Sequence, residues 1–482
     1  SKPGSGYTGS QSIGVLSISE DKNYIAVGQG NPSNYNAIGA PSQGIQIGLI
    51  KPDGTIDWLP DSGNNPEDMQ GLNIRSMEWV GSHLVASSWT NFQGELIRME
   101  TGPTGIVGDI VITDNNAPNF YIDKGAGYVF GAGNFEIEDS AIYNRPSLRI
   151  NDGTNPDLIE LKTDSQKYVD LMDHIRNQGG YIARAAVHPE LIDDKLIAFI
   201  GFWKNIEGKQ PISQIIRVVI NPATRELVDY DPYSVPVPDI GTDQADNEYV
   251  YGNFSLISDP NDPSGKSVFA GGNHYGEAQL RSPTYDGGLV RIDFNGSQKN
   301  ISEVLYGPRF DTITNQWDSS IFPGQPHADS RTIAFYNTNE GQKLIQTDDG
   351  GIWELLLDIT PEGSKLREGA WWQSLTSSGL NTLETNYVSW AAPSNSIASS
   401  YQDNAASLGY FGDDHAYNFW GGDGQLAFFD ENSANDSYLG YLSSQKYLKQ
   451  GILQKINYSN SGFITSRQNA QFYLQQPNQS PI

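Results

Sequence analysis

Ser12–Ser19 (SIGVLSIS) runs through the turn Glu20-Asp21-Lys22-Asn23 into Tyr24–Gly28 (YIAVG). Gly44–Ile50 (GIQIGLI) then passes through Pro52-Asp53-Gly54 into Thr55–Leu59 (TIDWL). The alternation of Ile45, Ile47 and Leu49 is the period of a strand with one face buried. Four such strands joined by tight turns make one antiparallel sheet. The apolar run recurs at Leu84–Ser88, Tyr128–Gly131, Leu196–Gly201, Val268–Gly271, Leu344–Asp348, Ile397–Gln402 and Tyr438–Ser443. The fifth unit restates the whole order: Tyr249–Ile257, Ser267–Gly271, Gly288–Phe294 (GLVRIDF), an Asn-Gly turn, and Ile301–Tyr306 (ISEVLY). Asn-Gly between alternating runs marks a hairpin, because both central residues take positive φ.

Repeats of a few tens of residues signal solenoids, arrays or propellers, and four-stranded antiparallel units repeated around an axis describe a β-propeller. The expected fold is all-β: a single β-propeller domain over residues 1–482 with four-stranded blades. The direct count is eight blades, with seven as the alternative, at roughly 10–62, 70–113, 118–162, 180–232, 248–307, 325–376, 386–420 and 424–468. Residues 469–482 form a tail. One segment breaks the β pattern. Over residues 164–178, Tyr168, Leu171, Met172 and Ile175 fall at helical spacing, with Asp164 as N-cap and Gly179 as the stop. This inserted helix between the third and fourth blades either covers the end of the axis or walls a cleft.

The aromatic content (10 Trp, 25 Tyr and 18 Phe) excludes an acidic disordered chain. With 57 acidic against 30 basic residues, the formal charge of −27 argues against nucleic acid and anionic membranes as partners. Cations and neutral polymers suit it better. Absence of cysteine excludes disulfides, thiolate chemistry and Cys-based metal sites. No apolar stretch is long enough to span a membrane, so no membrane insertion is expected. The chain begins at Ser1 with no visible signal peptide, as a processed or trimmed product would, and its expected location is extracellular or at the cell surface.

Residues 323–445 carry Pro326-His327-Ala328-Asp329 before a strand, then Thr347-Asp348-Asp349-Gly350-Gly351-Ile352-Trp353 and Ser378-Gly379-Leu380-Asn381. Tyr401-Gln402-Asp403-Asn404 and Gly421-Gly422-Asp423-Gly424 follow. In this order the elements resemble the Asp-box (BNR-type) propeller superfamily, which includes sialidases, xyloglucanases and sortilin-type propellers. Arg331 stands where relatives often have a second His, and Ala405 replaces the Gly of the "QDNG" element. No arginine triad with a Tyr-Glu pair is present, so sialidase activity is disfavoured. The Asp-box turn itself is structural. Asp349, Gly350 and Gly351 belong to that turn, and Asp53-Gly54 and Asp286-Gly287 are read the same way.

His327, Asp329 and Asp423 each precede an innermost strand, and Asp403 and Asn404 follow a second strand, so all should reach one mouth of the axis. Carboxylates converging from separate blades have the composition for acid/base chemistry, for a cation site, or simply for capping strand ends. Trp89, Trp203, Trp317 and Trp420 fall at strand-to-loop transitions, where an indole can stack on a sugar, and His274 ends another second strand. Asp414 and His415 form a further polar pair, Trp371 or Trp372 should pack between blades, and His83 and His188 read as solvated turn residues.

The leading reading is a secreted or surface-exposed propeller that binds a polysaccharide or cell-surface glycan. Hydrolysis would use Asp329 and Asp423, with Asp403 beside them; His327, Asn404, Trp89, Trp203, Trp420 and His274 would bind substrate. The resemblance to xyloglucanases supplies the hydrolase half of this expectation. The alternative is a non-catalytic adhesion or structural protein whose loops are stabilised by calcium. No cofactor is required by either reading, calcium is the candidate ion, and metal ligands and oligomeric state stay open.

Overall fold

The first hairpin shows how local chemistry sets each blade. Strand β1 (Ile13–Ile18) turns into β2 (Tyr24–Gln29) around Asp21, whose carboxylate accepts from Ser19 Oγ (2.6 Å) and the Asn23 backbone N–H (3.1 Å). Lys22 takes the left-handed conformation there (φ 59°). Strands β3 (Ile45–Ile50) and β4 (Ile56–Trp58) complete the sheet. Their turn uses Gly54 at φ 80° and Asp53, which accepts from Thr55 N (3.0 Å) and Oγ1 (2.6 Å). This is the turn role expected of Asp53-Gly54.

The computed structural model describes residues 13–29, 44–59, 73–90, 93–102, 105–114, 119–135, 145–151, 156–177, 180–204, 212–234, 239–240, 254–275, 287–295, 298–306, 309–311, 316–318, 326, 332–348, 351–370, 372–375, 385–391, 396–401, 406–410, 416–419, 424–429, 436–442, 450–458 and 464–473. The second sheet is β5 (Asn73–Val80), β6 (His83–Thr90), β7 (Gln93–Gly102) and β8 (Gly105–Asp114). The third is β9 (Asn119–Gly125), β10 (Tyr128–Phe135), β11 (Arg145–Ile150) and β12 (Ile159–Glu160). Helix α1 (Gln166–Asn177) precedes the fourth: β13 (Gly180–Val187), β14 (Leu196–Lys204), β15 (Ile212–Asn221) and β16 (Glu226–Ser234). In the fifth, β19 (Ser267–Tyr275) pairs with β17 (Asp239–Ile240) at one end and β18 (Phe254–Ser258) at the other, followed by β20 (Gly287–Asn295) and β21 (Gln298–Tyr306). A short hairpin, β22 (Arg309–Asp311) with β23 (Gln316–Asp318), leads to the sixth sheet. That sheet holds β24 (Thr332–Thr338), β25 (Gly341–Asp348), β26 (Gly351–Thr360) and β27 (Gly363–Leu366), with β28 (Gln373–Ser374) beside β26.

Two further sheets have the same form: β29 (Thr385–Ala391), β30 (Ser396–Tyr401), β31 (Ala406–Tyr410) and β32 (Ala416–Phe419), then β33 (Gly424–Phe429), β34 (Asp436–Leu442), β35 (Gln450–Tyr458) and β36 (Ile464–Tyr473). They do not make an eight-bladed ring. The chain divides into two compact units, one of Ser1–Leu344 with Leu356–Ala370, the other of Ile345–Leu355 with Trp371–Ile482. In the first unit the inner strands β1, β5, β9, β13, β18 and β24 pack in succession. The propeller therefore has six blades rather than the eight, or seven, expected from the repeats. In the second unit β29 packs against β33. Repeats count sheets; they do not state which sheet faces which.

The core lies between blades. Ala26, Ile45 and Ile47 of blade 1 meet Ile74, Met77, Trp79, Leu84 and Met99 of blade 2. Phe199 and Ile215 of blade 4 meet Phe254, Val268 and Ile292 of blade 5. Glycines that end the apolar runs belong to this packing, not to turns. A Cβ on Gly28 would lie 2.7 Å from Ile74, and one on Gly201 2.4 Å from Phe254, each on the next blade. Only glycine lets the neighbouring inner strand come so close.

Helix α1 buries Tyr168, Leu171, Met172 and Ile175, the stripe read from the sequence. It packs on β11, β13 and β16, extending the core between blades 3 and 4. Its N-cap is Ser165, whose Oγ accepts from Tyr168 N (3.2 Å), and not Asp164.

Candidate functional site

An innermost strand has one unpaired edge, and buried backbone groups there need partners. Side chains of blades 2 and 3 supply them to the inner strands of blades 3 and 4. Ser76 Oγ of β5 accepts from Ile122 N of β9 (2.9 Å), while Ser87 Oγ of β6 donates to Phe120 O (2.7 Å). The two hydroxyls also bond each other (2.8 Å). Asp123 Oδ2 of β9 accepts from Val187 N of β13 (2.6 Å).

Within this seam lies a pair of carboxyl groups. Glu78 stands opposite Val85, and Asp123 opposite Phe130, each at the third pair counted from the hairpin of its blade. Ser17, opposite Ala26, holds the corresponding place in blade 1 and hydrogen-bonds Glu78. Successive blades thus bring Ser17, Glu78, Asp123 and the Val187 N–H together. Burial, then the charge of Asp123, raises the Glu78 carboxyl to about 8, against the pull of Lys124. Burial raises Asp123 to about 7, against hydrogen bonds from Val187 and Lys124 backbone. Their charges are coupled, so ionising one carboxyl opposes ionising the other. Lys124 Nζ is itself held by Glu20 and by Trp79 O (2.7 Å).

A second polar cluster joins blade 5 to its neighbours. Asp259-Pro260-Asn261 and Asp262-Pro263-Ser264 are consecutive Asx turns: Asp259 Oδ1 accepts from Asn261 N (3.0 Å), and Asp262 Oδ1 from Ser264 N (2.9 Å). Asp259 also accepts from Ser364 N and Oγ (2.7 Å each) and lies 3.5 Å from Arg291 Nε. Burial pushes its carboxyl up against those hydrogen bonds and the guanidinium. Burial works the same way on Asp262, but there the hydrogen bonds from Ser264 and Lys266 outweigh it, and the carboxyl lies below its usual range. Gly363 (φ 109°) passes so close that a Cβ would lie 2.4 Å from Asp259 Oδ2. The carboxylate oxygens of both aspartates are committed to the fold.

His188 corrects the solvated reading. It is 1% exposed, with Nε2 against Asp262 O (3.1 Å) and Nδ1 against Glu190 O (3.0 Å), tying blade 4 to the blade 5 turn. His83 opens β6 and is half-buried. Trp372 is buried, whereas Trp371 lies outside the described residues.

Of the expected site residues, Asp329, Asp403, Asp423, His327, Asn404 and Trp420 lie outside the described residues, as do Asp286, Asp349, Gly350, Asp414 and His415. Trp89, Trp203, Trp317 and His274 are described as strand backbone only. Trp89 pairs with Asn73 and Gly94, Trp203 with Tyr181 and Ile212, and His274 with Ile240. Each therefore sits where a second strand finishes, at the end opposite the hairpins that carry Glu78 and Asp123. The sequence reading missed the carboxyl pair. Its signal was a charged residue between buried neighbours, Met77-Glu78-Trp79, on an inner strand.

Among the described residues no cluster of three metal-ligating side chains occurs, and no helix is long and apolar enough to cross a membrane. No family model matches the chain, and no curated protein matches it. Solved structures similar to it include an ancestral GH74 enzyme (9% identity, TM-score 0.48, 95% of this chain and 56% of that one). The GH74 enzyme of Niastella koreensis is similar at 10% identity and TM-score 0.49, over 95% of this chain and 65% of that one. The GH74 xyloglucanase of Xanthomonas campestris is similar at 10% identity and TM-score 0.48, over 92% and 59%. The chain spans less than two thirds of the length of these three structures.

Proposed function

We propose that this propeller binds a neutral polysaccharide outside the cell, at the end of the first unit where the second strands finish. The observation that supports this reading is that Trp89, Trp203 and His274 all stand where a second strand finishes, so three sugar-stacking or hydrogen-bonding residue types fall at one end of blades 2, 4 and 5. The acidic surface of the chain favours a neutral or cationic ligand over an anionic one. The segment Thr347–Trp353 is read as an Asp-box turn of the superfamily it resembles. Trp353 Nε1 donating to Asp348 Oδ1 (3.2 Å) and Gly351 at φ 123° support that reading.

Hydrolysis is assigned to Asp329 and Asp423 as acid and base, with Asp403, His327, Asn404 and Trp420 around the substrate and calcium as the ion of the acidic loops. Carboxyl groups about 5 Å apart would give retention of configuration, and about 6.5–9.5 Å inversion. Calorimetric titration against a panel of neutral polysaccharides tests the binding half. Trp89→Ala and Trp203→Ala should each weaken binding roughly tenfold, the equivalent of about 1.4 kcal/mol. Unchanged affinity in both variants ends the assignment of this face. Reducing-end release with Asp329→Asn and Asp423→Asn, with and without a chelator, tests the rest. Binding without turnover in the wild type would leave the non-catalytic surface role.

A further inference from the structure

We propose that Glu78 and Asp123 form a proton-operated lock between blades 2 and 3, closed while their carboxyls are protonated and loosened when both are ionised. The geometry carries the argument. Both carboxyl groups occupy the same position in their inner strands, and β5 packs on β9 through the Ser76–Ile122 bond, so closing the seam sets one charge against the other. Asp123 also holds the free edge of β13 through Val187 N (2.6 Å), so displacing it releases blade 4 as well. Ser17 ties Glu78 to blade 1. One pair thereby spans four consecutive inner strands.

The groups facing the pair offer little compensation for a second negative charge. From β1 comes the Ser17 hydroxyl, and from the turn after it Glu20, which takes Lys124. From β6 and β10 come the opposing Val85 and Phe130. From β13 comes the Val187 N–H, while Arg184 is held over the Tyr121 ring at 5.0 Å. Among the described residues Lys124 is the cation that acts on Glu78, and Glu20 and the Trp79 carbonyl occupy it.

The sign follows from linkage. Carboxyls at 4.5 and 3.8 are raised on folding to about 8 and about 7, so the folded state holds more protons than the unfolded one across that interval. The stabilisation is complete below the lower values and is lost as pH rises through about 7 and 8.

Three measurements on the full chain test the lock. Infrared difference spectra at neutral pH should show a protonated carboxyl that disappears in the Glu78→Gln/Asp123→Asn double variant, and its absence from the wild type overturns the proposal. Hydrogen-exchange protection of Ile122 and Val187 should fall roughly tenfold or more between about pH 5 and about pH 9, after correction for intrinsic exchange. In the Glu78→Gln/Asp123→Asn double variant, which keeps hydrogen-bonding side chains without the charges, protection should be flat over that range. Either single change should lessen the slope, which serves should the double variant fail to fold. Wild-type protection independent of pH, or a variant that keeps the wild-type slope, refutes the lock.

Discussion

Replacing Asp259 by Ala should cost the first unit about 4 kcal/mol, because it strands a cation where water does not reach. Arg291 is 2% exposed and Asp259 fully buried, and the pair faces Ser364, which gives Asp259 both its N–H and its hydroxyl at 2.7 Å. Removal of the carboxylate leaves a buried N–H unsatisfied and takes the 3.5 Å partner from the guanidinium. Breaking a buried pair from one side costs about 3–5 kcal/mol, and an orphaned buried donor about 1–3. Arg291 keeps Ser267 Oγ (2.9 Å), Glu362 O (2.6 Å) and Asp293 (3.3 Å), which holds the sum near the middle of the first range. Asp259→Asn preserves an acceptor for Ser364 and should cost about 2 kcal/mol. In the Asp259→Ala background, Arg291→Met removes the stranded charge, so the double variant should be about 2 kcal/mol more stable than the sum of the single changes. Urea unfolding of the full chain followed by tryptophan fluorescence and circular dichroism gives these differences. A cost below about 1 kcal/mol for Asp259→Ala, or strict additivity in the double variant, refutes the idea that this pair clamps blade 5 to blade 6.

Two smaller changes probe the seams and the helix. Gly201→Ala places a methyl 2.4 Å from Phe254 and should cost about 1–3 kcal/mol, read as a lowered melting temperature; an unchanged melt shows that the blade interface yields freely. Ser165→Ala should lose about 1 kcal/mol, whereas Asp164→Ala should stay within about 0.5, a contrast that equilibrium unfolding resolves.

Much of the local structure follows from residue pattern alone. The period-two runs of Ile13–Ile18 and Ile45–Ile50 become strands, and Asp53-Gly54 makes its turn. The stripe at Tyr168, Leu171, Met172 and Ile175 becomes the buried face of a helix. These depend on interactions within a few residues, which adjacent letters encode. Even there the boundary failed by one position, since Asp164 and Ser165 are both competent caps and only the hydrogen bond to Tyr168 N distinguishes them.

What neighbours in space decide could not be read in the same way. Eight four-stranded patterns were legible, but the six-bladed propeller is settled by which inner strands pack on which. Gly28 and Gly201 merely end apolar runs in the sequence, whereas in the fold they are the floor beneath Ile74 and Phe254 of the next blade. His188 read as solvated and is enclosed, because Asp262, distant along the chain, supplies its partner. Glu78 and Asp123 are unremarkable letters in separate repeats until closure of a seam brings their charges together. Alternation and turn chemistry are properties of one segment, whereas burial and proton affinity belong to pairs of segments that only the folded chain makes adjacent.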